Sequence, residues 1–332
     1  MKRAAIVGCG NIAQIHGWVL SQMNDVQLVA AADTQIQKAK QLSLSYTDGR
    51  ANVYDNLTTL LSEENIDVLH ICTPHHLHVP MALEGLHSGT SIFMEKPPAI
   101  TWEEFEQLCE TSTKSRGTIG FCLQNRYNDT TKALDEIVSS GNLGEVIGSR
   151  AFVTWRRDKE YYSDDWHGVL EKEGGGVLMN QSIHTLDLML RYLGRPVKIA
   201  ASMSNHHLPD AITIEDTLEA WMVFENEKRA CFYASNAYVT DAPVILELEF
   251  ENGRVTMMDE TLTIREHGKV PRQLSFPARS GPGKSYWGRG HVACIKDFYS
   301  HMIHGTYFQN DINGVANTFK TTMAIYQKTR TQ

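Results

Sequence analysis

Short apolar runs alternate with helical segments along the first third of the chain. Helical patterns, for example over residues 80–88 and 102–116, separate strand-like runs at 4–8, 26–33, 66–74, 91–96 and 118–123. Near-continuous apolar strands that alternate with helices are typical of a parallel sheet covered on both faces. The pattern therefore predicts a doubly wound α/β domain over residues 1–122.

After residue 128 the apolar positions recur with a period of two. A helix is expected over 130–140, and it leads into strand-like segments at 146–155, 197–204, 217–224, 229–234, 244–250, 255–258 and 262–266. Asn252-Gly253 between two of these segments predicts a hairpin. Residues 123–332 are thus expected to form an α+β domain with a large, mainly antiparallel, open sheet. Its helical end, 291–329, is expected to pack back on the first domain.

Composition excludes several classes of protein. The 332 residues are 42% hydrophobic and 21% charged, as in ordinary globular proteins. A net charge of −8 without a block of Lys and Arg argues against nucleic acid or an anionic membrane as a partner. No apolar stretch approaches the roughly 18 residues that span a bilayer. Six scattered cysteines without a C-x-x-C pair, and no signal peptide, predict a cytoplasmic protein with reduced thiols.

A G-x-G-x-x-A turn follows the first strand, at Gly8–Ala13, and Asp33 closes the second apolar run. Gly8 permits a tight turn, Gly10 leaves room for a pyrophosphate, and the next helix offers it N–H groups and a positive dipole end. A carboxylate about 20 residues on accepts hydrogen bonds from a ribose 2′-OH and repels a 2′-phosphate. The pattern predicts a dinucleotide site that prefers NAD, with NADP still open.

Glu95-Lys96-Pro97 ends the fourth predicted strand. Ligands of doubly wound sheets lie beyond the carboxyl ends of the strands, where an ammonium group can stabilise developing alkoxide character. A solvated loop lysine is the alternative interpretation of Lys96 taken alone.

A triple glycine, Gly174–Gly176, opens a second candidate segment. The glycines are expected to let a ligand approach the backbone, and the following helix to place Asn180, His184 and Asp187 on one face. His184 is a candidate general acid/base, with a satisfied core histidine as the alternative. Asp187 is expected either to orient His184 or to lie at the surface.

Two further segments carry weaker signals. The aromatic and polar residues 161–167 could stack on a sugar ring or form an ordinary surface loop. Three histidines within Thr73–His78 suggest zinc, but acidic or cysteine partners are missing at ligand spacing, so no metal is predicted.

Taken together, these motifs resemble the glucose–fructose oxidoreductase, inositol dehydrogenase and rhizopine-catabolism (Gfo/Idh/MocA) family. The resemblance covers residues 1 to about 195, with a weaker echo at Gly290–Phe298. The matching motifs are the glycine turn with His16, CTPxxxH at Cys72–His78, EKP at Glu95–Pro97, QNRYN at Gln124–Asn128, and the segment Gly174–Gly194.

The resemblance implies an N-terminal Rossmann domain and a C-terminal domain whose open sheet forms a homodimer or homotetramer. It implies hydride transfer between NAD(P) and a secondary alcohol or ketone of a sugar, cyclitol or sugar derivative. Lys96 and His184 occupy the family's catalytic positions. Many inositol-type members carry Asp where this chain has Asn180, and an amide cannot transfer a proton as a carboxylate does. Asn180 is therefore expected to orient the substrate or Lys96.

The motifs, the aromatic segment and the resemblance together give the remaining candidate site residues. Substrate contacts are expected from Asn180, Tyr162, Trp166 and Arg126. Cofactor contacts are expected from Gly8, Gly10, Asn11, Ile12, Asp33, Thr73, Pro74, His78, Glu95, Lys96 and Gln124. Two other functions stay open: glycoside cleavage through transient oxidation, and a nucleotide-sensing regulator without activity.

Overall fold

The computed structural model describes residues 1–276 and 290–329, which form two compact units. The first unit is Met1–Gln124 with the described part of Ser280–Val315. The second unit comprises the described parts of Asn125–Arg279 and Ala316–Gln332. The units differ from the expected division at 122/123 in two respects. The first unit continues to Gln124, and residues 290–315 also belong with it.

The first unit is built on a six-stranded sheet in the order β3-β2-β1-β4-β5-β6, and every pairing in it is parallel. The strands are β1 (Lys2–Val7), β2 (Val26–Ala32), β3 (Asn52–Tyr54), β4 (Val68–Ile71), β5 (Ser91–Met94) and β6 (Ile119–Phe121). The helices are α1 (Asn11–Ser21), α2 (Ile36–Thr47), α3 (Leu57–Glu63), α4 (His78–His87), α5 (Trp102–Lys114) and α9 (Gly290–His304). The predicted doubly wound sheet is confirmed. Strand β3 was not predicted, because its three residues are too few for a period to show.

Helix α9 covers the end of the sheet at β6. The Phe298 ring lies 5.1 Å from the Phe93 ring and 5.4 Å from the Phe308 ring. A side chain at Gly120 would approach both Phe298 and Phe308 within 2.7 Å, so the strand has no space for one. The Asn310 amide also donates to the Phe121 carbonyl at 3.2 Å. This part of the C-terminal segment therefore does pack against the first domain.

The second unit holds an eight-stranded sheet in the order β14-β13-β12-β11-β7-β10-β9-β8. Only β7 and β10 pair in parallel among its described strands, so the predicted antiparallel character is confirmed. The strands are β7 (Val146–Thr154), β8 (Lys198–Ser204), β9 (Thr217–Val223), β10 (Arg229–Ser235), β11 (Ile245–Phe250), β12 (Gly253–Met258), β13 (Thr261–Glu266) and β14 (Arg272–Ser275). The helices are α6 (Asp129–Ser139), α7 (Leu170–Glu173), α8 (Ile183–Leu193) and α10 (Ile312–Thr329).

One face of this sheet carries the core of the second unit. Leu246, Leu248 and Phe250 alternate along β11 and are all buried, together with Leu186 and Met189 of α8. The hairpin predicted at Asn252-Gly253 is confirmed, because Gly253 opens β12 and pairs with the last residue of β11. The polar strand β14 was not predicted.

A buried ion pair ties the start of the second unit to two of its helices. Arg126 donates from Nε and Nη2 to the two oxygens of Asp187 at 2.7 and 2.6 Å, and Thr318 of α10 donates to the same carboxylate at 2.5 Å. Asp187 is only 1% exposed. Both expectations for Asp187 are therefore wrong, since its oxygens hold Arg126 and Thr318 and it is not at the surface. The predicted substrate contact of Arg126 gains no support from this pairing.

No helix within the described ranges has both the length and the apolar character needed to cross a membrane.

We expect Asp187→Asn to lower the free energy of unfolding by about 3 kcal/mol, because it leaves a buried guanidinium without its charge partner. Asp135→Asn is the matched control, since Asp135 pairs with Arg191 where both side chains are 30% exposed. The control is expected to cost under about 1 kcal/mol. Urea unfolding followed by circular dichroism measures both values, and equal losses would contradict a stabilising role for the buried pair.

Candidate active site

The glycine turn after β1 has the shape that a dinucleotide site needs. Gly8 has φ of +80°, and a Cβ there would come within 2.7 Å of the Cys72 and Thr73 backbone, so only glycine fits. A Cβ at Gly10 would meet none of the described atoms within 4 Å. Gly10 is also the N-cap of α1 and lacks a side-chain capping bond, so the first N–H groups of the helix are available to an anion.

Asp33 is held beside this turn by the backbone. Its Oδ2 accepts the Cys9 N–H at 2.8 Å, and its Oδ1 accepts the Gln35 N–H at 2.7 Å. These bonds fix the carboxylate at the end of β2, which is where the ribose of a bound dinucleotide is expected.

The segment after β4 supplies a further polar group. Thr73 Oγ1 is buried and has no hydrogen-bond partner among the residues that the structure describes. Its backbone lies against Gly8, and Pro74 beside it is half-buried. Asn11 and Ile12 form the first turn of α1, exposed and half-buried respectively. An orphan hydroxyl, unshielded N–H groups and open space at Gly10 fit a dinucleotide.

His78 holds two backbone segments of this region together. The ring is buried between two backbone carbonyls, with Nδ1 2.9 Å from the Pro97 oxygen and Nε2 3.0 Å from the Thr73 oxygen. It thereby fastens the segment after Lys96 to the segment after β4. The predicted cofactor contact of His78 gains no support, because both ring nitrogens face the backbone.

Glu95 lies at one end of a buried chain of side chains. Its Oε1 is 3.0 Å from His16 Nε2, His16 Nδ1 is 2.9 Å from His70 Nδ1, and His70 Nε2 is 2.9 Å from Tyr299 Oη. All four side chains are buried. The chain connects α9, β4 and α1 to the residue that precedes Lys96.

The charges along this chain are unequal. Burial alone would raise the pKa of Glu95, but the hydrogen bond and charge of His16, with the charges of His291 and Lys96, lower it to about 2. Burial, joined by the charge of His16, keeps the pKa of His70 well below its ordinary value. His70 is therefore a neutral imidazole that donates at one nitrogen and accepts at the other. A fixed negative charge thus accompanies Lys96.

The described residues contain one group of possible metal ligands, and hydrogen bonding explains why its members lie together. The ligating atoms of His16, Glu95 and Cys122 lie within 4.8 Å of one another. His16 already uses both ring nitrogens, and burial raises the pKa of the Cys122 thiol well above its ordinary value, which disfavours a thiolate ligand.

Two other predicted site residues of the first unit lie just after strands of its sheet. Lys96 is half-buried just beyond β5. Gln124 is buried after β6, and its Oε1 accepts the Cys122 thiol at 4.0 Å. A cofactor contact from Gln124 stays a prediction.

The triple glycine of the second unit serves close packing within the protein. A Cβ at Gly175 would lie 2.1 Å from Tyr326 Oη, and one at Gly176 would lie 1.9 Å from the Glu215 carbonyl oxygen. The buried Glu215 carboxylate accepts the Gly176 N–H at 2.8 Å and the Tyr326 hydroxyl at 2.8 Å. Burial raises the pKa of Glu215, and these bonds oppose that rise. The glycines therefore let the protein's own groups approach, which corrects the expectation that they admit a ligand.

Asn180 and His184 lie in different kinds of helix. Residues Val177–Ser182 form a π-helical turn, and α8 begins at Ile183. The expected α-helical face through Asn180, His184 and Asp187 is therefore wrong, because the π turn changes the helix phase. Both Asn180 and His184 are half-buried.

Aromatic and amide side chains surround Asn180. Tyr161 Oη accepts Gln181 Nε2 at 3.1 Å and lies 3.4 Å from Asn180 Nδ2. Tyr162 is 7% exposed, and its hydroxyl accepts Asn236 Nδ2 at 3.0 Å, so its predicted substrate contact gains no support. The Trp166 ring is half-buried, 3.7 Å from the His167 ring, and its substrate contact stays a prediction.

Sequence reasoning missed two buried acids close to the candidate site. Glu173 and Glu215 are 0% and 6% exposed. In the sequence, Glu173 ends the charged run Glu171-Lys172-Glu173, which is typical of a solvated helix. No local signal distinguishes such a residue from a surface acid.

Comparisons with known proteins agree with this geometry. Residues 2–121 match the oxidoreductase family with an NAD-binding Rossmann fold, and residues 131–256 match the GFO/IDH/MocA C-terminal domain. The D-glucoside 3-dehydrogenase of Escherichia coli (strain K12) is 31% identical over 242 residues, which are 68% of this chain and 67% of that enzyme. The myo-inositol 2-dehydrogenase of Thermotoga maritima is 22% identical over 59% of this chain and 56% of its own length.

The fold is also that of a solved structure. The WlbA dehydrogenase of Bordetella pertussis, in complex with NADH and UDP-GlcNAcA, superposes with a TM-score of 0.84. The two chains are 24% identical, and the match covers 99% of this chain and 96% of that one.

The fold and the glycine turn define an oxidoreductase with an NAD-binding domain. The chain belongs to the Gfo/Idh/MocA family. The predicted family, fold class, enzyme class and nicotinamide cofactor are thereby confirmed.

We expect Gly10→Ala to weaken NAD binding about tenfold, equivalent to about 1.4 kcal/mol, without changing the melting temperature. The added methyl group meets open space in the protein but occupies the approach of the pyrophosphate. Gly8→Ala is the contrasting variant, since its methyl group collides with backbone and should destabilise the fold. Titration of NADH fluorescence and thermal melting check the pair, and unchanged affinity in Gly10→Ala would contradict this position for the phosphates.

Proposed function

We propose that the protein transfers a hydride between NAD(H) and a secondary alcohol or ketone of a sugar, cyclitol or sugar derivative. The observation that carries this proposal is the preformed glycine turn with Asp33 fixed beside it. The sugar class is supported by the family relatives, which include a glucoside and an inositol dehydrogenase.

NAD is proposed over NADP because of Asp33. The carboxylate receives two backbone hydrogen bonds and is thereby held as an acceptor for the ribose 2′-OH. A 2′-phosphate at the same place would meet a fixed negative charge.

When bound, NAD supplies the hydride acceptor or donor at its nicotinamide ring. Lys96 is proposed to hold the reacting hydroxyl oxygen and to stabilise the negative charge that grows there. His184 is proposed to take the hydroxyl proton during oxidation and to return it during reduction. The Glu95 carboxylate, with its pKa of about 2, adds a constant counter-charge next to Lys96.

The surroundings of Asn180 suit a polyhydroxylated substrate. Tyr161, Asn180 and Gln181 combine a phenol with two amides, groups that both donate and accept hydrogen bonds. The Tyr161 ring adds an apolar face, with the Arg157 guanidinium 5.3 Å from its centre.

We expect Lys96→Ala and His184→Ala each to lower kcat about 10²- to 10⁴-fold, because the first removes the group that stabilises negative charge and the second the group that takes the proton. NAD affinity is expected to be preserved in His184→Ala. A screen of sugars, cyclitols, keto-sugars and sugar nucleotides at 340 nm, with NAD(H) and NADP(H), provides the assay. The exposed residues Lys114 and His304, changed to Ala, are matched controls.

Wild-type turnover in both variants would contradict the proposed roles. Activity with NADP(H) alone would contradict the role of Asp33. Release of a leaving group without net change at 340 nm would favour glycoside cleavage, and nucleotide binding without turnover of any compound would favour a regulator.

We also propose that the protein is a homodimer or homotetramer through the open face of the C-terminal sheet. Glu247, Arg150, Cys231 and Trp221 form one row across β11, β7, β10 and β9 on the face opposite Leu248. Trp221 is 64% exposed, and Arg150 donates to Glu247 at 2.7 Å. An exposed indole beside organised charges is typical of a surface that a partner covers. A cytoplasmic location stays a prediction from the cysteine pattern.

We expect Trp221→Glu to shift the protein towards monomer, since it places a charge where the partner's apolar surface would lie. Light scattering after size-exclusion chromatography at micromolar concentration measures the mass. Tyr307→Glu is the control, because Tyr307 is a 79% exposed aromatic residue of the other unit. A wild-type protein that is monomeric would contradict the proposal.

A further inference from the structure

Glu173 is a carboxylate that the protein has removed from water entirely. It is the last residue of α7 and is 0% exposed. It accepts the Gly168 N–H at 2.5 Å and Asn180 Nδ2 at 2.6 Å. Gly174 follows with φ of +84°, which turns the chain sharply away after the acid. Burying a carboxylate is costly unless it receives such bonds, so the stability of the fold depends on the donors around Glu173.

The bond to Glu173 fixes the orientation of the Asn180 amide. Asn180 Nδ2 lies 2.6 Å from Glu173 Oε1, so the amide directs its donor to the acid, and a flipped amide would set oxygen against oxygen. The same Nδ2 lies 3.4 Å from Tyr161 Oη. Since the amide is planar, Oδ1 occupies the opposite edge of the group from these two partners.

We propose that Glu173 is a positioning residue for the substrate, because it holds the Asn180 amide with Oδ1 presented as a hydrogen-bond acceptor. The matching substrate carries a hydroxyl group that donates to Asn180 near the reacting carbon. The Glu173–Asn180 pair is expected to be stable with one carboxylate and one amide, but not with two carboxylates. This inference rests on the proposed function, since it requires Asn180 at the substrate.

A second carboxylate in this pair has a defined electrostatic consequence. Asn180→Asp would place two carboxylates at hydrogen-bond distance away from water, so one of them must keep a proton and the pair's upper pKa rises. The folded variant then binds more protons than the unfolded chain. Its stability is therefore complete at low pH and is lost as the pH rises through the raised pKa.

Tyr162 and Tyr326, which interact electrostatically with Glu173, stay protonated across the neutral range. Burial and the charge of Glu173 raise the pKa of Tyr162, and burial with Glu215 and Glu173 raises that of Tyr326. Titratable or charged groups that contact this pair or its tyrosine neighbours include Tyr161, Tyr162, His167, Arg157, Glu215 and Tyr326. His167, whose ring is 4.8 Å from the Tyr161 ring, is present in all four proteins.

The test compares wild type, Glu173→Gln, Asn180→Asp and the double variant Glu173→Gln/Asn180→Asp by thermal melting between pH 5.5 and 8.5. The Asn180→Asp protein is expected to melt close to wild type at pH 5.5 and progressively below it at higher pH. The double variant restores one carboxylate and one amide, so its melting curve should regain the pH dependence of wild type. Glu171→Gln, two residues earlier and exposed, is the control.

Kinetics on the best substrate of the screen test the positioning itself. We expect Asn180→Asp to lower kcat/KM about tenfold or more at pH 8, with partial recovery at pH 6, in line with couplings between contacting residues. Glu173→Gln frees the amide to flip and should raise KM more than it lowers kcat. The double variant is expected to return towards wild type, with NADH affinity unchanged throughout.

Two results would overturn the inference. One is an Asn180→Asp protein whose melting and activity follow the pH dependence of wild type. The other is a double variant no better than Asn180→Asp. If the melting pattern appears but no sugar or cyclitol is turned over, the proposed function fails while the matched pair stands. If sugars are turned over and the double variant gives no rescue, the reverse holds.

Discussion

The architecture depends on one constraint, that a carboxylate buried without water must be surrounded by donors. Glu95, Glu173 and Glu215 are each less than a tenth exposed. Each recruits groups from a different part of its unit: His16 for Glu95, the Gly168 and Asn180 N–H donors for Glu173, and the Gly176 backbone with Tyr326 for Glu215. Loss of one donor leaves a charge without compensation, so these acids fix the segments that carry the site.

The buried acids have different roles, some electrostatic and some structural. Glu95 keeps a low pKa because His16 bonds to its charged form, and so gives Lys96 a permanent negative neighbour. Glu215 holds the backbone that precedes the π turn, and the packing is so close that a methyl group at Gly176 would collide with it. The buried ion pair between Arg126 and Asp187 also holds α8 in place. The segments that carry the proposed catalytic residues are therefore held by hydrogen bonds and an ion pair that exist before any ligand binds.

Periodicity predicted both sheets except for the strands β3 and β14, and the glycine turn predicted the nicotinamide cofactor. Apolar runs mark β1, β2, β4, β5 and β6 because strands covered on both faces consist mainly of apolar residues. The spacing of Gly8 and Gly10 indicates a tight turn with open space for a phosphate, and the structure has both features. The roles of His78, Tyr162, Arg126 and Asp187 could not be read in this way. Their partners lie far along the chain, and a buried acid such as Glu173 has the same local sequence as an exposed one.

The π turn at Val177–Ser182 makes the length of this segment an essential property of the protein. A π turn accommodates one residue more than an α-helical turn over the same rise. Deleting that residue would restore a regular helix and rotate everything after it by about 100°. Asp187 would then leave Arg126, and His184 would point elsewhere, although every side chain of both partners remained in the sequence. Function in this region is thus encoded in the register of the backbone as much as in the identity of its residues.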